Sequence, residues 1–290
     1  MKVTIVQPYG YCAGVANAIS LAYKTKQSKP NRKIIILGML IHNEDALNKL
    51  KEVGIDTLYH KDKSLLELID EIKDGSVVIL TAHGHSKAVE EKLNERGLEF
   101  VDTTCPFVNL TFSQIDKSIK EGHHVIYIGK ANHPEANAAL SISKNVHLLD
   151  VSNPVLPLLK DESPLVINQT TFSHYEVEQL ISMIKSKYPH ANVFKSVCDA
   201  STRRQEALLN LPKDVDLIYI VGGKNSNNAK TLFNIAKSHY PQSKVLLIQN
   251  ELDVNEKDLL GLHHIVISSG ASTPKEITEQ IKSKIELLCN

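Results

Sequence analysis

The chain has 290 residues, 42% of them hydrophobic, and its 33 basic and 33 acidic residues cancel to a formal charge of zero. That length allows more than one compact unit, with enough apolar surface for a core. Without a basic excess, nucleic acid and anionic membrane surfaces are poor candidates for the main partner, although a local anion pocket is allowed.

The N-terminus goes straight into the strand-like MKVTIVQPYG and lacks the charged start, long apolar stretch and cleavage site of a signal peptide. No apolar run approaches the roughly 18 residues of a membrane span. We therefore expect a cytoplasmic protein whose cysteines stay reduced and serve a metal or catalysis. Cys12 comes next, followed by the helical pattern AGVANAISLAYKTKQ. The apolar run KIIILG then ends in the polar LGMLIHNE, and after the helical SLLELIDEIKDG a second run reads SVVILTAHG. DTTCP brings Cys105, with Pro106 suited to the first turn of the helix PFVNLTFSQIDKSIKEG. The runs HVIYIGK and PLVINQTT follow, ending in IGKANHPE and INQTTFS, and YEVEQLISMIKSKY is helical. Cys198 opens DASTRRQEALLNLP, and the last two runs are DLIYIVGGKNS and HIVISSGAS. Cys289, next to last, is read as incidental.

Three cysteines keep step: 105 − 12 = 93 and 198 − 105 = 93 residues. Each sits where a strand gives way to a helix, a setting in which free N–H groups and the helix dipole favour a thiolate. Counted from its cysteine, each third carries its first apolar run near Ile34, Val125 or Leu217 and its second near Val77, Leu165 or Ile265. Near-continuous apolar runs alternating with helical stretches predict parallel strands covered on both faces. The expected fold is therefore α/β, with three similar lobes. An N-terminal strand spans 1–12, and the lobes span 13–104, 105–197 and 198–290. Three equivalent thiolates meeting on a common axis would leave a metal site one protein ligand short, open to water or substrate. We read Cys12, Cys105 and Cys198 as holding an iron–sulfur cluster. The alternative at this point is three buried thiols acting as small hydrophobes.

In open α/β sheets ligands bind beyond the carboxyl ends of the strands. Those ends are rich in neutral donors here: His42, His83 and His133, with Thr170, Ser226, Asn228 and Ser272. Glycines at 84, 129, 222, 223 and 270 allow close approach of backbone N–H groups, and helix N-termini add more. The inventory suits a diphosphate. Singly, each of these residues is more often a cap or turn residue; the joint pattern points to a site. Glu135, in HPE, is the one acid placed to pass a proton at the cavity.

The combination YCAGVANAI, IHNE, TAHG, DTTCP, HPE, NQTT, STRRQEA, GGKNSNN and SSGAST resembles the LytB family of hydroxymethylbutenyl diphosphate reductases, from Cys12 to about Pro274. The resemblance implies a pseudo-threefold trefoil of three α/β lobes around a central [4Fe–4S] cluster on Cys12, Cys105 and Cys198. It implies a substrate diphosphate held by His42, His83, His133, Ser226, Asn228 and Ser272, with Glu135 and Thr170 handling the substrate hydroxyl and its proton. Asn227 stands where the family commonly has a second serine, which puts its contact in question. Ala136, Asn137 and Ala138 replace the usual residues after HPE, and Asp199 follows the third cysteine where some members have an aromatic residue.

The family reaction removes the allylic hydroxyl of (E)-4-hydroxy-3-methylbut-2-enyl diphosphate with two electrons and two protons, giving isopentenyl and dimethylallyl diphosphates. It is the last step of the non-mevalonate isoprenoid pathway. With no strong flavin or nicotinamide fingerprint, the electrons are expected from a separate ferredoxin- or flavodoxin-type donor. Two rivals stand beside this reading. One is a hydro-lyase using an open iron only as a Lewis acid; the other is a cluster carrier or redox-sensing module.

Overall fold

The computed structural model describes residues 1–289, without the side chains of residues 174 and 175. Strand β1 (Lys2–Ile5) leads to Cys12 and helix α1 (Ala13–Ser28). Then come β2 (Ile34–Leu37), α2 (Glu44–Glu52), β3 (Ile55–Leu58), α3 (Leu65–Asp70), β4 (Val77–Leu80), α4 (Lys87–Glu95) and β5 (Glu99–Asp102). After Cys105 the chain forms α5 (Pro106–Lys120), β6 (Val125–Gly129), α6 (Pro134–Leu140), β7 (Val146–Asp150), β8 (Leu165–Asn168), α7 (His174–Lys187) and β9 (Asn192–Phe194). After Cys198 it forms α8 (Asp199–Leu209), β10 (Leu217–Val221), α9 (Asn227–His239), β11 (Lys244–Ile248), β12 (His264–Ser269) and α10 (Lys275–Leu288).

The strands make three four-stranded sheets, ordered β3-β2-β4-β5, β7-β6-β8-β9 and β1-β12-β10-β11, with every pairing parallel. These are three similar α/β lobes with one shared plan. Two apolar strands occupy the centre, and one edge strand runs into a cysteine: β5 into Cys105, β9 into Cys198 and β1 into Cys12. The first strand of the chain thus belongs to the sheet built by the last third. By packing, the chain divides into two units. One comprises Met1–Val15, His42–Ala46 and the segment from Asp199 onward; the other comprises Ala16–Ile41 and Leu47–Cys198. The first unit contains the β1-β12-β10-β11 sheet, and the second contains the other two.

Parallel sheets of this kind need cover on both faces, and the period-2 alternation shows it. In the first unit, Leu217, Tyr219, Val221, Ile265 and Ile267 pack against Ile277, Ile281 and Ile285 of α10. The intervening Ile218, Ile220 and Val266 face Leu208 of α8 and Ala229, Leu232 and Ala236 of α9. In the second unit, Ile126, Ile128 and Val166 meet Val177, Ile181 and Ile184 of α7. On the opposite face, Val125, Tyr127 and Ile167 meet Ile115 of α5 and Ala136 and Ala139 of α6. Each fully buried Leu, Ile or Val contributes roughly 1.5–3 kcal/mol relative to exposure, so these layers fix the strand ends. Among the described residues no helix is long and apolar enough to cross a membrane.

Candidate active site

The three evenly spaced cysteines have one backbone setting, repeated. The N–H of Cys12 donates to the carbonyl of Ala271 at 3.0 Å, that of Cys105 to Ala82 at 3.1 Å, and that of Cys198 to Thr170 at 3.1 Å. Each acceptor lies two residues beyond a central strand, after Ser269, Leu80 and Asn168 respectively. Each cysteine also precedes a helix. Cys105 caps α5, with Pro106 in its first turn, while Cys12 and Cys198 directly precede α1 and α8. The Val15 N–H already points at the Cys12 sulfur, 3.5 Å away. All three are half-buried, whereas Cys289 is exposed. Partial burial at a helix N-terminus is the setting of a reactive or metal-binding cysteine rather than of an inert core thiol.

Cys105 and Cys198 belong to the second unit and Cys12 to the first. Among the described residues, no three His, Cys, Asp or Glu side chains gather around one point as ligands of a single metal ion would. Cluster ligands each bind a different iron and stand farther apart. The donor set of three thiols in matched helix-terminal settings fits such a group.

In the second unit the acid is fully enclosed. Glu135 lies in the first turn of α6, 1% exposed. Its Oε1 accepts from the Thr170 N–H at 2.8 Å and from the Tyr127 hydroxyl at 3.1 Å, and its Oε2 accepts from the Thr170 hydroxyl at 2.9 Å. Burial pushes its protonation up to about 7, against the opposing pull of the Thr170 and Tyr127 hydrogen bonds. A carboxyl that changes state near neutrality is suited to proton transfer. His133 caps the same helix, its Nδ1 accepting from the Glu135 N–H at 3.2 Å. The His83 ring meets His133 edge-on, with centroids 5.7 Å apart. The turn after His83 depends on Gly84, which sits at φ +82°, where a Cβ would lie 2.4 Å from the Phe112 ring. The structure therefore brings His83, His133, Glu135 and Thr170 together at the carboxyl ends of β4, β6 and β8.

In the first unit His42 stands just before α2. Burial, with the Lys230 cation second, pushes its protonation down to about 4, so at neutral pH it is a neutral imidazole with one N–H to donate. A Cβ on Gly223 would lie 2.4 Å from the His42 carbonyl oxygen, so only glycine lets these two segments approach. Ser226 caps α9, its hydroxyl oxygen accepting from the Ala229 N–H at 3.3 Å; its own proton stays available. The buried Ser272 Oγ and Asn227 Nδ2 have no hydrogen-bond partner among the described residues. Buried donors left unpaired are uncommon and are what an anionic ligand would use. Asn228 is different. Its Oδ1 accepts from the Ala271 N–H at 2.8 Å and its Nδ2 donates to Ser201 at 3.1 Å, so most of its amide braces the turn that also carries the Cys12 acceptor.

Two residues were given no role from sequence. Tyr127 reads as one more apolar residue of a buried strand. Arg204, inside STRRQEA, is 3% exposed; its guanidinium donates to the carbonyls of Gly10 at 2.5 Å, Ser269 at 3.2 Å and Ala200 at 3.2 Å. It ties the approach to Cys12 to the end of β12 and the first turn of α8. A buried cation in a helix needs such acceptors, and that was the available signal.

A family model described as LytB protein matches residues 3–286. The 4-hydroxy-3-methylbut-2-enyl diphosphate reductase of Malacoplasma penetrans (strain HF-2) is 37% identical over 281 residues, covering 94% of this chain and 93% of that one. The protein of the same name from Bacillus cereus (strain B4264) is 37% identical over 289 residues, covering 99% and 90%. The solved structure of the E-1-hydroxy-2-methyl-but-2-enyl-4-diphosphate reductase from Plasmodium falciparum superposes with a TM-score of 0.87 at 27% identity, over 100% of this chain and 88% of that one. A second solved structure, of (E)-4-hydroxy-3-methyl-but-2-enyl diphosphate reductase, the terminal enzyme of the non-mevalonate pathway, gives a TM-score of 0.68 at 30% identity, over 99% and 100%.

Proposed function

We infer the chemistry from one premise: this chain belongs to the LytB family, and its relatives are 4-hydroxy-3-methylbut-2-enyl diphosphate reductases. It is an oxidoreductase that converts (E)-4-hydroxy-3-methylbut-2-enyl diphosphate, two electrons and two protons into isopentenyl or dimethylallyl diphosphate and water. The observation that carries this reading is the thrice-repeated cysteine setting. It supports Cys12, Cys105 and Cys198 as holders of a [4Fe–4S] cluster. When bound, the cluster supplies Lewis acidity toward the hydroxyl oxygen and delivers the electrons.

The chain's own side chains do the rest. His42, His83 and His133, with Ser226, Asn227 and Ser272, offer neutral donors to the diphosphate, and Asn228 adds its remaining N–H. Anchoring the diphosphate fixes the allylic end, and positioning of this kind lowers barriers by several kcal/mol, up to about 7–11 in favourable cases. Glu135, carrying a proton near neutrality, passes it through the Thr170 hydroxyl to the departing hydroxyl. The electrons enter from an external one-electron donor of ferredoxin or flavodoxin type. The setting is the cytoplasm, where thiols stay reduced.

Anaerobic protein incubated with the hydroxylated diphosphate, with and without dithionite and a mediator, tests the reading. Products should form only with reductant. Turnover without reductant identifies a hydro-lyase, and a cluster-loaded protein with no turnover in either case identifies a carrier or sensor.

A further inference from the structure

Glu135 has two oxygens in unequal surroundings. Oε1 takes two donors, the Thr170 N–H at 2.8 Å and the Tyr127 hydroxyl at 3.1 Å; Oε2 meets the Thr170 hydroxyl at 2.9 Å. Resting on the reading of Glu135 as the acid, we propose that Tyr127 is a positioning residue for it. Together with the Thr170 N–H it fills Oε1 with donors, and so keeps the transferable proton on Oε2, the oxygen that faces the Thr170 hydroxyl.

Tyr127 is built for this and cannot easily do otherwise. It is 0% exposed in the middle of β6, so its hydroxyl has no access to water. Its ring lies over Gly129, where a Cβ would stand 2.6 Å from Tyr127 Cε1. Burial first, then the Glu135 charge and hydrogen bond, hold its own ionisation well above the ordinary tyrosine range. It therefore always carries a proton to donate. Tyr127 itself sits in an apolar layer. From α5 come Phe112, Ile115 and Ile119, from α6 Ala136 and Ala139, and from β7 Val146 and Leu148. Among the described residues, Tyr127 bonds to the acid, His133 caps its helix, and His83 lies edge-on to His133.

An oxygen accepting two hydrogen bonds is the carbonyl oxygen of a neutral carboxyl; the hydroxyl oxygen is then the other one. The proton balance follows. The Oε2–H bond breaks as a new O–H bond forms on Thr170 Oγ1, and the proton Thr170 already carried moves to the leaving hydroxyl, which departs as water. Glu135 is left ionised with Thr170 Oγ1 donating to Oε2, the arrangement seen here.

An infrared pH titration of the full chain reads this directly. The carbonyl stretch of protonated Glu135 is assigned by its loss in Glu135→Gln. In Tyr127→Phe the ionised carboxylate loses a charge-assisted donor, so the titration midpoint should rise by about half a unit to one unit. The carbonyl stretch should move to higher frequency. The alkaline limb of turnover should shift up with the midpoint, while KM for the diphosphate stays unchanged. Installing 3-fluorotyrosine at 127, a stronger donor of nearly the same shape, should shift midpoint and frequency the opposite way, and serves if Tyr127→Phe does not fold. If Glu135→Gln abolishes turnover but neither Tyr127 variant moves midpoint or frequency, the placement of the proton is overturned and the acid stands. If Glu135→Gln turns over normally, the acid itself is wrong and the proposal falls with it.

Discussion

Replacing Glu135 by glutamine separates what the acid costs from what it does. Its protonation midpoint is raised from 4.5 to about 7 because the carboxyl is buried. Between those values the folded chain holds a proton that the unfolded chain has released, so stability falls as pH rises through that window. Holding that proton from pH 4.5 to about 7 corresponds to about 3 kcal/mol, at about 1.4 kcal/mol for each pH unit. Glutamine keeps the shape and can still accept at Oε1 from the Thr170 N–H and the Tyr127 hydroxyl, but it cannot ionise. Below about pH 4.5 the two proteins should be nearly equal in stability; above about pH 7 Glu135→Gln should be the more stable by about 3 kcal/mol, several degrees in thermal midpoint. Turnover should move the other way, falling about 10²–10⁴-fold. Thermal unfolding of both proteins across this pH range, without substrate, checks the first part, and reductant-driven product formation checks the second. A stability gap that does not widen with pH, or a variant that is weaker at alkaline pH, refutes the burial argument.

Four further outcomes are expected. Serine at Cys12, Cys105 or Cys198 should strip most of the iron measured per chain after anaerobic reconstitution, while Cys289→Ser should keep it. His42→Ala should raise KM about tenfold without altering the visible spectrum. It should also flatten the loss of stability between about pH 6.5 and 4, where the unfolded histidine takes up a proton that the buried one refuses. Gly223→Ala forces a Cβ to within 2.4 Å of the His42 carbonyl and should cost about 1–3 kcal/mol, seen as a lower thermal midpoint together with a raised KM. Arg204→Lys cannot serve the Gly10, Ser269 and Ala200 carbonyls at once; iron content should fall although every cysteine remains.

The six central strands were legible because each is a continuous apolar run buried on both faces. The structure starts them at Ile34, Val77, Val125, Leu165 and Leu217 as expected, and at His264, one residue before the expected Ile265, because a polar residue opens that strand. Of the edge strands only β1, in the strand-like MKVTIVQPYG, was read. Glu99–Asp102 and Asn192–Phe194 are short and half-exposed, with a polar residue at one or both ends, so neither an apolar run nor a long alternation marks them. The pairing of β1 with β12 joins residues about 260 apart, beyond the reach of any local pattern. At the site, Glu135 and Thr170 stood out by their motifs, and the structure puts them in direct contact. Asn228 looked like a ligand residue, but most of its hydrogen-bonding capacity goes to Ala271 and Ser201, since a strand-end amide serves a turn as readily as an anion. Tyr127 was hidden because one hydroxyl in VIYIG does not disturb the hydrophobic signal; only the fold shows which atom it faces.

The closing of the last sheet by the first strand sets a timetable for synthesis. Cys105 and Cys198 find their backbone acceptors, Ala82 and Thr170, in segments that left the ribosome before them. Cys12 bonds to Ala271, which is made some 260 residues later, and β1 waits for β12 in the same way. The earliest of the three thiols to emerge is thus the last to be secured. A cofactor that needs all three can be seated only once the segment through Ala271 has been made, and until then the Cys12 N–H is without its backbone anchor.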